Sequence, residues 1–469
     1  MKTRIILTLL ILTLTACAPA TNPAISMTSI QSTAFAAAYT GVALTPIAPP
    51  TATPVPPTFT PIVTQFAPIP TFTSISTLNI PFTLDAIRMA YVVDGNLYLQ
   101  DGSNQPIQLT NSGKDHSPIF SDDGEKVVFF RGTLPHNVYS INTDGSQEQE
   151  LVSSELLTAL DMEYYNSTEL RSLSFVPGTH QILFNTHELD WLTLSTKDIN
   201  RSGAKPNQDL LLVNTDTSVI KRILEPGQGG IFQVSPNGKL VIIQAIDHID
   251  VIGLDGKIIH RNLATYPSSW LYDRWPDIYW TQDSGKLNLV LPLDTGNALD
   301  SSGPEPRTIW QYSMDGKSAV EIHLNPPPIG ESFSISPDGN WVVSTYYYYP
   351  GKTDETVASG IYIGNLRDGS SQFLESAQLY GIPNSFYWSS DNVHFIFENE
   401  QSLLFLGNVN GTTTSLNGGA FLGWIDTNHY LYLFSKIFLG EIGNKTNLFV
   451  SDMPIPIHNT NPFIFVFLK

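Results

Sequence analysis

One phrase keeps returning along the chain. An aromatic or aliphatic residue is followed by a Ser/Thr, Pro, Asp/Asn, Gly turn and then by a second apolar run. It occurs at Phe120-Ser121-Asp122-Asp123-Gly124, Phe175-Val176-Pro177-Gly178, Val234-Ser235-Pro236-Asn237-Gly238 and Trp280-Thr281-Gln282-Asp283-Ser284-Gly285. It occurs again at Ile335-Ser336-Pro337-Asp338-Gly339, Trp388-Ser389-Ser390-Asp391-Asn392 and Trp424-Ile425-Asp426-Thr427-Asn428. The copies follow one another at intervals of roughly 50 residues, too long for one solenoid coil and right for a four-stranded sheet. A second strand and turn closes each unit, as at Val138-Tyr139-Ser140-Ile141 before Asp144-Gly145 and Val251-Ile252-Gly253-Leu254 before Asp255-Gly256.

The turn residues have a mechanism. Pro presets φ, Asp or Asn bonds its own backbone, and Gly accepts positive φ. Asp123, Asp283 and Asp338 are therefore expected to cap turns rather than to bind calcium or catalyse. Runs such as Leu240-Val241-Ile242-Ile243 are apolar on consecutive residues, which requires burial on both faces of a strand. Trp280, Trp388 and Trp424 are expected in the sheet cores. Some 385 residues also exceed what one compact core usually organises, whereas a ring of sheets spreads burial over many interfaces.

These copies resemble the PD40 (TolB-like, WD40-like) propeller repeat over roughly residues 86 to 469. The resemblance implies an all-β fold, a β-propeller of four-stranded antiparallel blades. The ends imply how it closes. Met89 to Val93, Asn96 to Gln100 and Pro106 to Thr110 look like the second, third and fourth strands of a blade without its first, and Pro462 to Leu468 looks like a lone apolar strand. Eight blades are expected if that strand completes the first blade; seven is the alternative. PD40-type propellers include the TolB scaffold, prolyl-oligopeptidase-like peptidases and oligogalacturonate lyases, so the repeat leaves function open.

The start of the chain points to the membrane. Lys2 and Arg4 precede an apolar stretch from Ile5 to Leu14, too short to span a ~30 Å hydrocarbon layer. Leu14-Thr15-Ala16-Cys17 then resembles the bacterial lipobox. That resemblance implies a signal peptide over 1–16, cleavage before Cys17, and acylation of Cys17, the only cysteine, with attachment to a lipid bilayer by two or three chains. From Ala18 to Leu84 no residue is charged while Pro and Thr recur, the composition of a disordered tether over 17–84 that reaches ~200 Å when extended and averages ~45 Å as a coil. The propeller is expected over 85–469, held in the cell envelope on the extracytoplasmic side, periplasmic or at the cell surface.

In a four-stranded meander the turns joining first to second and third to fourth strands share one rim, and all other connections share the opposite rim. The second rim carries the long pieces: Leu156 to Asn166, Thr186 to Gln208, Tyr266 to Asp277, Pro292 to Arg307 and Tyr346 to Asp354. They hold Tyr164, Tyr165, Trp191, Trp270, Tyr272, Arg274, Trp275, Tyr346, Tyr347 and Tyr348, of the residue types that most often anchor partners. A monomer that binds an envelope protein or a glycan through this rim is the expected function.

Other classes fit less well. With 24 basic against 43 acidic residues, a net charge of −19, nucleic acid would be repelled. No Gly-x-Ser-x-Gly, His-Glu-x-x-His or phosphate-loop motif occurs. No catalytic residue, metal or cofactor is assigned. The alternative is a polysaccharide-acting propeller enzyme, lyase- or hydrolase-like, with a metal in its channel held by some of the ten histidines, such as His116, His187, His248, His323 and His394.

Overall fold

The computed structural model describes residues 87–467 except 134–135, 160–165, 191–203, 207, 267–275, 293–306, 317, 326–332, 349–357, 376–384, 400–402, 417–418, 435, 444–447 and 452–462. Signal peptide, Cys17 and tether therefore lie outside the described residues.

The described chain forms eight antiparallel sheets. Blade 2 shows the pattern: strands Asp115–Phe120, Lys126–Arg131, Asn137–Asn142 and Gln149–Val152 pair in that order. Blades 4 to 8 repeat it with first strands Ile231–Val234, Asp277–Trp280, Phe333–Ile335, Phe386–Trp388 and Ala420–Trp424. Every repeat anchor identified in the sequence is the last residue of a first strand, so the phrase marks the turn into the second.

Closure follows the expected route. Phe463–Phe467 pairs antiparallel with Ile87–Val93, from Ile87↔Phe467 to Tyr91↔Phe463, and completes blade 1 with Asn96–Asp101 and Ile107–Gln108. Ring closure removes the bare edge that each terminal strand would otherwise present. There are eight blades, not seven.

The cores explain why a ring is needed. Eight apolar clusters are present among the described residues, and each draws its residues from two neighbouring blades. Because side chains alternate along a strand, one strand serves two clusters. In the second strand of blade 4, Leu240–Gln244, Val241 and Ile243 pack toward blade 3 while Ile242 packs toward blade 5. Trp280 is buried in the cluster of blades 4 and 5. Trp388 and Trp424 are half-buried and pack on their clusters from the edge.

The turns hold together through a group the sequence reading did not weigh. The Ser or Thr after the anchor is buried at Ser121, Ser235, Thr281, Ser336 and Ser389. In blade 6, Ser336 Oγ donates to Asp338 Oδ1 at 2.6 Å and accepts the Trp341 N–H at 2.9 Å, while Asp338 Oδ1 also accepts the Asn340 N–H at 3.1 Å. Asp123 and Asp283 make the corresponding bonds, so all three carboxylates cap turns as expected. One detail differs: in blade 5 the left-handed residue is Ser284 (φ 59°) rather than Gly285, because the site is fixed by its place in the turn.

Several expected loops are shorter than read. Tyr346, Tyr347 and Tyr348 are not loop residues but the end of the second strand of blade 6, Trp341–Tyr348, paired with Gly360, Ser359 and Ala358. β-branched and aromatic residues favour extended backbone, which carries the ladder past the body of the blade. In blade 3, Asn166–Phe175 pairs along its length with Gln181–Asp190, and Ala204–Pro206 adds a fifth strand beside it, where a four-stranded blade with a loop from Thr186 was expected. The junction beginning near Leu156 contains a helix, α1 (Ser154–Ala159), whose Leu157 is buried between blades 2 and 3.

Candidate functional site

The two rims differ as the meander requires. First-to-second connections are short and internally bonded: 121–125, 176–180, 235–239, 281–285, 336–340, 389–393 and 425–428. At the opposite rim the chain leaves the sheets at Asp190, Pro292 and Tyr348 and is back in them by Leu210, Arg307 and Ala358, and the blade junctions begin and end there too. Tyr164, Tyr165, Trp191, Trp270, Tyr272, Arg274 and Trp275 fall within these connections and outside the described residues.

Two features come from side chains that are described: the first stands on this rim between blades 2 and 3, and the second runs along the seam of blades 3 and 4 from this rim toward the other. The first is a group of histidines around a buried carboxylate. His116 lies near the start of the first strand of blade 2; its ring stacks on Phe130, centroids 5.7 Å apart, and meets His136 edge-on at 4.7 Å. Glu169, 3% exposed on the first strand of blade 3, accepts the His136 backbone N–H at 3.0 Å and lies 3.3 Å from its Nδ1. His187 stands opposite Glu169 across the ladder, and its buried Nδ1 has no hydrogen-bond partner among the described residues. Burial, helped by the neighbouring His136, lowers the pKa of His116, and burial lowers that of His187. Both rings are thereby biased toward the neutral form, able to donate and accept hydrogen bonds at neutral pH.

The second feature is a cleft of about 430 Å³ along the seam of blades 3 and 4. Gln208, Gln228, Asp247, His248 and Arg261 supply its polar groups, and the partly exposed Ile246 and Ile258 supply apolar area. His248 Nδ1 is 2.6 Å from Asp247 Oδ1. Asp250 Oδ1 accepts the Asn262 N–H at 2.7 Å and holds that residue in a left-handed conformation, φ 49°. The outer strand bulges there, which turns its free edge away from pairing and shapes the cleft wall. A few converging polar groups in a partly apolar concavity are what a recognition site needs.

Sequence reasoning named His116, His187 and His248 but could not bring them together, and it passed over His136, Glu169 and Arg261. The missing signal was blade register. His116, His136 and His187 sit at the same-rim ends of different strands in adjacent sheets, which no sequence spacing reveals. His323 is exposed and His394, which opens the second strand of blade 7, lies 2.6 Å from the turn residue Asp391, so neither joins the group. Among the described residues, only Asp123, Glu125 and His180, on the opposite rim, bring three ligand-type atoms within 4.8 Å of one another.

Sheet order, closure and paired interfaces define the class: an eight-bladed β-propeller sealed by its C-terminal strand. No family model matches the chain. No curated protein matches it either. Solved structures similar to it include TolB from Acinetobacter baumannii, at 18% identity and TM-score 0.31 over 63% of this chain and 65% of that one. An oligogalacturonate lyase in complex with manganese matches at 15% identity and TM-score 0.42, over 71% of this chain and 86% of that one. The β-propeller domain of the Trilobed protease from Pyrococcus furiosus matches at 12% identity and TM-score 0.41, over 74% and 99%.

Proposed function

We propose that this is a lipid-anchored, extracytoplasmic binding propeller that receives a protein or glycan partner on the rim of long connections, centred on blades 2 to 4. The observation that carries the reading is the contrast between the rims: one is closed by short, self-bonded turns, while at the other every long connection leaves and rejoins the sheets. Recognition residues gather on connections that a rigid scaffold positions. A propeller supplies that rigidity without its sheets moving. Acylation at Cys17 and the uncharged Pro- and Thr-rich segment would hold the ring off the bilayer within reach of neighbours.

The test is cross-linking of the membrane-anchored protein in its native envelope, followed by identification of co-purified neighbours, with a polysaccharide array run on the same protein. A variant carrying Trp270→Ala, Trp275→Ala and Arg261→Ala should lose the captured partner while keeping its fold. Unchanged capture would refute the rim assignment. Turnover of an acidic oligosaccharide would instead favour the polysaccharide enzyme.

A further inference from the structure

The geometry points to a divalent transition-metal site, of the kind zinc occupies, on the short-turn rim, where it would staple blade 2 to blade 3. The ligands are Asp123 and Glu125, from the turn between the first two strands of blade 2, and His180, from the matching turn of blade 3. This site is independent of the rim proposed for partner binding.

The two oxygens of Asp123 have separate tasks. Oδ1 accepts from Ser121 Oγ at 2.6 Å and from the Glu125 N–H at 3.0 Å, which is the turn cap. Oδ2 points across the blade seam to His180 Nε2, 2.9 Å away. Zinc bound at about 2.0–2.2 Å in tetrahedral geometry separates its ligand atoms by roughly 3.3 Å, so insertion needs only a few tenths of an ångström of opening at this pair. The carboxylate of Glu125 lies within 4.8 Å of both atoms, on an exposed side chain that can turn in.

A further residue orients the ring. Asp216, on the turn between the third and fourth strands of blade 3, lies 3.2 Å from His180 Nδ1, and Lys126 holds Asp216 in turn at 2.9 Å. A carboxylate that accepts the Nδ1–H hydrogen bond fixes the imidazole with Nε2 turned toward Asp123, where a metal ion would replace the Nε2 proton, an arrangement that recurs behind metal-bound histidines. Water would complete the coordination at this exposed position. Two carboxylates and one imidazole suit zinc, cobalt or manganese better than a soft ion, and the imidazole disfavours calcium.

The test uses the full-length protein in detergent, stripped with chelator and titrated with Zn²⁺, and separately with Co²⁺ as a spectroscopic probe. One zinc per chain is expected, with Co²⁺ giving visible bands that zinc displaces. His180→Gln should abolish this binding. Glu125→Gln, at an exposed residue whose loss spares the fold, should weaken it at least tenfold. Asp216→Asn, which changes only the positioning residue, should weaken it by about tenfold to a hundredfold. His394→Gln should retain full binding. Absence of zinc from the wild type, or stoichiometry unchanged in His180→Gln, would overturn the site.

Discussion

Gly407 tests how tightly blade 7 is packed. It lies on the third strand of blade 7, Leu404–Asn408, directly opposite Phe395 on the second. A Cβ at Gly407 would stand 2.3, 2.4 and 2.9 Å from Cε2, Cζ and Cδ2 of Phe395, against about 3.5–4.0 Å for ordinary contact. The ring must therefore move by more than about 1 Å. It has nowhere to go, because Phe395 is fully buried with Trp388 at 5.2 Å, Phe386 at 6.0 Å and Phe397 at 6.1 Å between centroids. Overpacking of this severity belongs at the upper end of its range, so Gly407→Ala should cost about 3 kcal/mol. Phe395→Leu alone should cost about 1–2 kcal/mol through lost contact. Combined with Gly407→Ala it should cost less than the sum by about 1 kcal/mol or more, since the shorter side chain makes room for the methyl. Urea unfolding followed by tryptophan fluorescence reads this as shifts in midpoint at constant slope. A loss below about 0.5 kcal/mol for Gly407→Ala, or additivity in the double variant, would refute the steric reasoning.

Other predictions follow from the same structure. Ser336→Ala leaves the Trp341 N–H without its acceptor and should cost about 2 kcal/mol, with the Trp341 amide exchanging faster in hydrogen-exchange measurements. Asp115, buried and held by Arg131 Nε at 2.6 Å, should not tolerate Ala, which leaves the guanidinium only its pair with Glu148 and costs about 2 kcal/mol in the same urea assay. At His180 burial alone would lower the pKa, but the hydrogen bonds to Asp123 and Asp216 outweigh it and raise the value. The ion-pair contribution is then complete below about pH 6.5 and fades as pH rises through the folded-state value, so in chelator the stability gap between wild type and His180→Gln should shrink from about pH 6.5 upward. A chain ending at residue 462 loses the strand that closes blade 1, and light scattering should show self-association through the bared edge of Ile87–Val93.

Much of the scaffold was legible because it repeats. Seven turn phrases marked the ends of seven first strands, and the strand left over at one end of the chain matched the strand lacking at the other. Local chemistry sufficed there, since a capped turn and an apolar run each act within a few residues. Tyr346 to Tyr348 were misplaced because length and aromatic content do not say where a hairpin ladder stops. The buried Ser or Thr of five turns was passed over because its value appears only when its hydroxyl is shut away from water.

By itself the amino-acid order indicated an all-β chain, the turns that end the first strands and two terminal strands that could pair. Those properties depend on periodicity and on residues close in sequence. Only the closed ring decided that His116, His136, Glu169 and His187 share one corner, and that Asp123 faces His180 across a seam. Contacts between blades join residues tens of positions apart, and their partners are chosen by sheet register and blade stacking, for which a linear sequence carries no local sign.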